Sequence, residues 1–295
     1  MPDQPSTVLI AGLGLLGGSL GLALRRLERP PRVLGLARRE ESLREALAAG
    51  AIAAGGTRPE EWLPQADLTV LCLPVLATRE FALAHAAEWR KGAVVTDVGS
   101  TKQELVAALT APLAARGVRF VGSHPMAGSE QSGLAAARAN LYQHATVFVT
   151  PATETDPAAV ATVCALWTAL DAQVRELTPA AHDRLVAYTS HLLHLAAAAT
   201  VNLVLRQPHA LDGTAGGFRD FTRIAASSPE MWADIFQDNR QPVLAALEAL
   251  IAELRQEQAL LERGTAAELH DHLAAARQRR LAWAEAWHAR HPRGG

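Results

Sequence analysis

Apolar and polar positions along the chain fall into two regimes that meet near residue 178. Before that point, seven short apolar runs recur: VLIAGLG (8–14), RVLGLAR (32–38), DLTVLCLP (67–74), AVVTDVG (93–99), VRFVGS (118–123), ATVFVTP (145–151) and QVRELTP (173–179). The first six are rich in Val, Leu and Ile and mostly lack strict alternation, which is the pattern of strands covered on both faces. The stretches SLGLALRRL, EESLREALAAG, REFALAHAAEW, KQELVAALTAPLAARG and DPAAVATVCALWTALD between them read as helices. A strand–helix alternation of this kind predicts a mainly parallel, doubly wound sheet. From Pro179 onward the strand signal stops. Residues 180–207 read as one long helix ended by Pro208, since proline cannot continue it. A Gly-rich link (212–217) follows, then two shorter helical pieces broken at 227–229, then two long Ala/Leu/Glu/Arg helices to about residue 290. The expected architecture is an α/β domain over 1–178 and an all-α domain over 179–295.

Composition narrows the partners. The 295 residues suit one large or two medium domains with a sizeable core. With 28 basic and 30 acidic residues the formal charge is −2, so no excess invites nucleic acid or an anionic membrane surface. Cys72 and Cys164 make neither a disulfide framework nor a metal signature, and Cys72, inside an apolar run, is expected to pack as a small hydrophobe. No charged N-terminal segment precedes an apolar stretch, and there is no uncharged run of about 18 apolar residues. The expectation is a soluble, cytoplasmic protein.

Chemistry enters at the first turn. Gly12, Gly14 and Gly17 stand in G-x-G-x-x-G spacing between a predicted strand and a predicted helix. The first glycine allows a tight turn, the second lets backbone approach a pyrophosphate, and the third lets helix and strand pack closely, with the helix N-terminus facing negative charge. Gly12, Leu13, Gly14, Leu15, Leu16 and Gly17 are therefore candidate cofactor-binding residues of a Rossmann-type domain; the alternative is a Gly-rich turn that binds nothing. A carboxylate at the end of the second strand would select NAD by bonding its ribose hydroxyl. Here the position holds Ala37, followed by Arg38 and Arg39. Nothing there repels a 2′-phosphate and a guanidinium can grip one, which favours NADP over NAD. The alternative is a pair of solvated arginines partly neutralised by Glu40 and Glu41.

Ligands of doubly wound sheets sit outside the carboxyl ends of the strands. Leu73 and Pro74 end the third run, and Asp97, Gly99 and Ser100 end the fourth; Leu73, Pro74, Asp97 and Gly99 are further candidate cofactor-binding residues. Ser100 also reads as an N-cap of the helix that begins at KQELVAAL. GSHPMAGSEQSG (122–133) ends the fifth. His124, followed by small residues that permit close approach, is a candidate acid/base, or else a satisfied turn histidine. The helical half adds His182, Asp183, Ser190, His191 and His194, with His191 and His194 three apart on one face. An HD-type metal phosphohydrolase is the alternative these residues raise; Asp212, Asp220 and Asp234 would have to supply its remaining ligands. Arg219 and Arg223 are four apart, so one helical face would present both.

Taken in order, GLGLLGGSL, DVGSTK, GSHPMAGSEQSG, HDRLVAYTSHLLH and FRDFTRIAASSPEMWADIFQDN resemble the prephenate/arogenate dehydrogenase family of tyrosine biosynthesis, over about residues 8–240. HPMAGSE-x-SG and TRIA…PEMW are the specific parts; the glycine turn is common to many dehydrogenases. Leu193 stands where the family usually has proline, in SHLLH. The resemblance implies oxidative decarboxylation of prephenate to 4-hydroxyphenylpyruvate with hydride transfer to NAD(P)+, or the corresponding conversion of arogenate to tyrosine. It implies His124 and Ser100 as catalytic residues, with Ser100 bonding the histidine. It implies His191, Arg223, Ser129, Glu130, Arg219, Asp220 and Trp232 around the substrate, no metal, and a homodimer formed by the C-terminal helices. Core packing is the competing reading of Trp232, and a surface ion pair with Asp220 or Glu230 that of Arg219. No role attaches to His182 or His194. A 3-hydroxyacid dehydrogenase would need a catalytic lysine in the helical half, and no lysine follows Lys102. A cofactor-sensing protein would have no use for His124, Ser100 and Arg223 together.

Overall fold

The computed structural model describes residues 5–128, 131 and 133–290. Each of the seven apolar runs forms a strand: β1 (Thr7–Ala11), β2 (Arg32–Leu36), β4 (Leu68–Leu71), β5 (Val94–Asp97), β6 (Arg119–Pro125), β7 (Thr146–Thr150) and β8 (Gln173–Glu176). An unpredicted strand, β3 (Ala54–Gly56), adds to the β2 edge; three small residues leave no hydrophobic pattern to read. The sheet order is β3-β2-β1-β4-β5-β6-β7-β8. Its pairings are parallel except β6 with β7. Intervening helices are α1 (Leu15–Leu24), α2 (Glu40–Ala48), α3 (Pro59–Trp62), α4 (Val75–Ala84), α5 (Gln103–Ala114) and α6 (Pro157–Thr168).

The missing alternation in the strands has its cause in the packing. Val8 and Ile10 of β1 belong to the core on one face of the sheet, and Leu9 and Ala11 to the core on the other. Both faces are covered, so every position is apolar.

The helical half departs from the expected single helix over 180–207. It is α7 (Pro179–Val186), one π-helical turn over Ala187–His191, and α8 (Leu192–Val204). A π turn inserts an extra residue and redirects the side chains around it, here where Ser190 and His191 lie. Short helices follow, α9 (Ala210–Gly213), α10 (Gly216–Thr222) and α11 (Pro229–Asp238), with a 3-10 turn at Arg223–Ala226. The long helices are α12 (Arg240–Arg263) and α13 (Ala266–Arg290). Two compact units divide between Pro242 and Val243. In the second unit, Leu254, Leu261, Leu273 and Trp283 are all more than half exposed, at 57%, 73%, 57% and 52%. Among the described residues, no helix is long and apolar enough to cross a membrane.

The β1–α1 turn gives its three glycines distinct work. Gly12 has φ +97°, and a Cβ on it would meet the Cys72 carbonyl oxygen at 2.3 Å. A Cβ on Gly17 would stand 1.9 Å from the Gly12 carbonyl oxygen. A Cβ on Gly14, the residue that opens α1, would meet nothing within 4 Å. Two glycines therefore serve close packing and the third leaves open space beside a helix N-terminus. Gly17→Ala is expected to cost about 1–3 kcal/mol in urea denaturation, as overpacked sites do. Gly14→Ala should leave the unfolding midpoint in place and weaken dinucleotide binding alone, as titration calorimetry would show. Equal stability of the two variants would contradict this division.

Candidate active site

His124 lies within β6 rather than in a turn after it, because β6 continues to Pro125 and pairs His124 with Phe148 of β7. Its Nδ1 is 2.9 Å from Nε2 of His182 on α7. Nδ1 of His182 is in turn 2.7 Å from Oδ1 of Asp183. His182 is fully buried and Asp183 nearly so. The backbone N–H groups of Lys102 and Gln103 donate to Oδ1 and Oδ2 of Asp183, each at 2.8 Å. These are among the first N–H groups of α5, which have no partner inside the helix. Asp183 thus caps α5 from another element. The capping role open to Ser100 is not used: α5 opens at Lys102, without a side-chain cap of its own. Ser100 makes no side-chain bond to His124 among the described residues, and the histidine's Nδ1 is taken by His182.

Asn239 draws in the second histidine. Its Nδ2 donates to the Asp183 carbonyl at 2.9 Å and lies 3.0 Å from Nδ1 of His191. The carbonyl requires a donor, which fixes the amide orientation and makes His191 Nδ1 an acceptor. Trp232 then bridges two histidines, edge-on to His191 at 5.8 Å and stacked on His194 at 3.6 Å. Thr101 Oγ1 donates to Asp238 at 2.6 Å, adding a tie between the α5 approach and the end of α11.

Beneath the site, Lys102 and Asp97 form an ion pair with both side chains fully buried. Asp97 also accepts from the backbone N–H of Gly99 at 2.8 Å and of Ser123 at 3.0 Å. Asp97 is a candidate cofactor residue by its position at the strand end, and its carboxylate is committed inside the protein, to Lys102, Gly99 and Ser123. Losing either partner of such a pair strands a buried charge, at about 3–5 kcal/mol.

The cofactor side is bound to the same strand. The segment leaving β6 returns across α1: Tyr142 Oη donates to the Leu16 carbonyl at 2.7 Å, and the Arg138 N–H to Ser19 Oγ at 3.0 Å. Leu73 and Pro74 lead into α4, and Pro74 is exposed. Ala37 follows β2, and Arg38 and Arg39 are exposed without an ion pair to Glu40 or Glu41 among the described residues. The open space at Gly14, the α1 N-terminus and this uncommitted basic pair fit a dinucleotide.

Other candidates lie apart. Arg219 is 78% and Asp220 72% exposed, and they pair with each other at 2.9 Å, the surface ion pair that competes with a substrate role for Arg219. Arg223 sits in the 3-10 turn after α10 rather than on one helical face with Arg219; it is near enough to His194 to disfavour its proton. Ser129 and Glu130 lie outside the described residues. No group of three or more His, Cys, Asp or Glu side chains suited to a metal is present among the described residues. His182 and Asp183, the first ligands of the metal reading, bond to each other and to His124 and α5. Sequence reasoning missed the working parts played by Lys102 and Asn239. For Lys102 a signal existed: it is one of two lysines, and it sits at a strand end in an apolar setting.

Residues 20–176 match the family described as "Prephenate dehydrogenase, nucleotide-binding domain", and residues 178–275 match "Prephenate dehydrogenase, dimerization domain". The chain belongs to the prephenate dehydrogenase family. It is accordingly an oxidoreductase with a nucleotide-binding domain. The prephenate dehydrogenase of Bacillus subtilis (strain 168) is 35% identical over 286 residues, covering 95% of this chain and 76% of that one. A crystal structure of prephenate dehydrogenase from A. aeolicus, in complex with hydroxyphenyl propionate and NAD+, superposes with a TM-score of 0.88 at 35% identity. It covers 96% of this chain and 99% of that one. Synechocystis arogenate dehydrogenase superposes with a TM-score of 0.82 at 27% identity, covering 94% and 99%.

Within this family member the four histidines are held neutral. Burial pushes His124 well below the usual histidine value, helped by His182, Lys102 and His191. Burial lowers His182 against the pull of Asp183. It takes His191 and His194 to about 4. The unfolded chain takes up these protons near pH ~6.5, so folding holds fewer protons below that pH and stability falls as pH falls. Unfolding midpoints should be flat above pH ~6.5, then decline as the pH approaches about 4. Rising stability across that interval would contradict the burial of neutral imidazoles.

Proposed function

We propose that this chain oxidises and decarboxylates prephenate to 4-hydroxyphenylpyruvate, with NAD(P)+ taking the hydride and His124 as the base. The observation that carries this reading is His124 itself. It is a partly buried imidazole at the carboxyl end of a central strand, disposed to be neutral, with Nε2 unbonded among the described residues. Arg138 and Tyr142, in the connection between β6 and β7, bond to the helix that opens at the glycine turn.

NAD(P)+, when bound at Gly12–Gly17, supplies the acceptor for the hydride on C4 of the substrate ring. His124 accepts the hydrogen bond, and then the proton, of the 4-hydroxyl. The ring carboxylate departs as carbon dioxide, and its bonding electrons complete the aromatic ring. Ser100, beside the start of α5, positions the 4-hydroxyl. His191 has Nδ1 committed to Asn239, so its Nε2 carries the hydrogen and donates to substrate. Arg223 makes charge-assisted bonds to a substrate carboxylate. Trp232 fixes the two histidines, and Ser129, Glu130, Arg219 and Asp220 form the mouth. Residues 1–178 act as the dinucleotide domain and 179–295 as the substrate and dimerisation domain. The exposed leucines of α12 and α13 support a homodimer formed by those helices. A cytoplasmic location completes the reading.

Initial rates with prephenate and arogenate, each against NAD+ and NADP+, test it. Prephenate should give the higher kcat/KM, and a preference for arogenate would move the assignment to that substrate. His124→Asn should lower kcat by about 10²–10⁴-fold with little change in KM, the loss typical of a removed general base. Near-normal turnover in that variant would remove His124 from the chemistry.

Ala37, Arg38 and Arg39 support NADP as the preferred cofactor. One charge-assisted hydrogen bond is worth ~1.5–3 kcal/mol, or about ten- to a hundredfold in binding. Ala37→Asp should therefore shift the NADP+/NAD+ ratio of kcat/KM toward NAD+ by about that factor. An unchanged ratio would discard the arginine pair as a phosphate site.

A further inference from the structure

His182 and Asp183 are buried polar groups that the reaction scheme above leaves unused. We propose that they are positioning residues: Asp183 and His182 together fix the tautomer of His124, so that its Nε2 always presents a lone pair. This rests on His124 being the base of the proposed reaction.

Donors and acceptors are fixed in turn along three groups. Asp183 Oδ1 already accepts the Lys102 N–H, and an ionised carboxylate has no hydrogen to give. His182 Nδ1, 2.7 Å away, must therefore be the protonated nitrogen. A neutral imidazole carries one hydrogen, so His182 Nε2 is bare. That bare nitrogen is 2.9 Å from His124 Nδ1, which must then carry the hydrogen of this contact. His124 Nε2 is left as the acceptor. The reverse assignment would put a lone pair of His182 against the carboxylate, or require a charged His182 in a setting that disfavours the charge. The arrangement is held at its far end by α5, whose Lys102 and Gln103 N–H groups lock the carboxylate. Phe148 packs edge-on against His182 at 5.5 Å and keeps its ring in place.

The same row offers the accepted proton a path. When the substrate hydroxyl gives its proton to His124 Nε2, the His124 Nδ1 hydrogen can pass to His182 Nε2. The positive charge then sits beside Asp183, which stays ionised, and no atom or electron is left unbalanced. The charged and titratable groups facing the two rings are Asp183, Asp97, Lys102 and His191. Lys102 and His191 disfavour charge on the His124–His182 pair, and the two carboxylates favour it on His182.

Two measurements test this. In full-length protein labelled with 15N-histidine, two-bond 15N–1H correlation spectra report which imidazole nitrogen is protonated. His124, assigned by its loss in His124→Asn, should be the Nδ1–H tautomer; an Nε2–H tautomer would overturn the proposal. Kinetically, His182→Leu removes the acceptor and should lower kcat by about 10²-fold, a part of the general-base effect. KM for prephenate and for the cofactor should stay within about twofold. His182→Gln keeps an amide oxygen for His124 Nδ1–H and should recover at least about tenfold of that loss, though it cannot take the proton. Equal defects in the two variants, or wild-type kcat in His182→Leu, would overturn the tautomer role. If wild-type protein turns over no dienol substrate, the reading of function fails, yet the spectrum still decides the tautomer. If His182→Leu does not fold, the wild-type spectrum decides it alone.

Discussion

One carboxylate, that of Asp183, joins the two halves of the site. It reaches from α7 to the first N–H groups of α5 and, with its other contact, orients His182. Its own backbone carbonyl takes the Asn239 amide, which sets His191. The helix dipole of α5 favours a negative charge at that point, so the same group is stabilised by the sheet domain and organises the helical one. A site assembled from β6, α5, α7, the π turn and α11 would otherwise depend on five separate packings being right. Here most of the polar geometry is referred to a single residue, through its carboxylate and its backbone carbonyl.

Around that carboxylate the electrostatics are arranged in layers. Lys102 and Asp97 neutralise each other under the floor, fully buried, and brace the loop that carries Ser100. Above them the imidazoles are kept uncharged by burial and by the nearby ammonium. On the proposed role of His124, a base gains from being neutral beforehand and from having a carboxylate two groups away once it is charged, and both conditions follow from the same buried geometry.

Much of the fold could be read from the chain before any coordinates. Strands buried on both faces announce themselves as unbroken Val/Leu/Ile runs, and the glycine spacing placed a tight turn, an open position and a close packing in the right order. What escaped notice has physical reasons. β3 has three small residues and is defined by its neighbour β2 rather than by its own pattern. The π turn at Ala187–His191 leaves no composition signal. At the site, His124 stood out because histidine at a strand end has few structural uses. Asp97 is read as a ligand residue from position alone, while its partner Lys102, five residues on, holds the carboxylate inside, which position does not reveal. Asn239 was invisible, since a lone amide in a helical stretch carries no pattern. The Ser100 hydroxyl, expected on His124, could not be judged without knowing that His182 occupies that nitrogen.

The segment that leaves β6 and crosses α1 has a consequence for how such enzymes diverge. Through Tyr142 and Arg138 the connection between β6 and β7 bonds to the helix that opens at the glycine turn. On the proposed roles, these contacts would hold the surroundings of His124 and the glycine turn together within the sheet domain. Arg223, Trp232 and His191 all come from the helical part. On the proposed roles, substitutions at these three positions would change which ring is admitted without touching the glycine turn, so selectivity could be altered from one end of the chain and cofactor binding from the other.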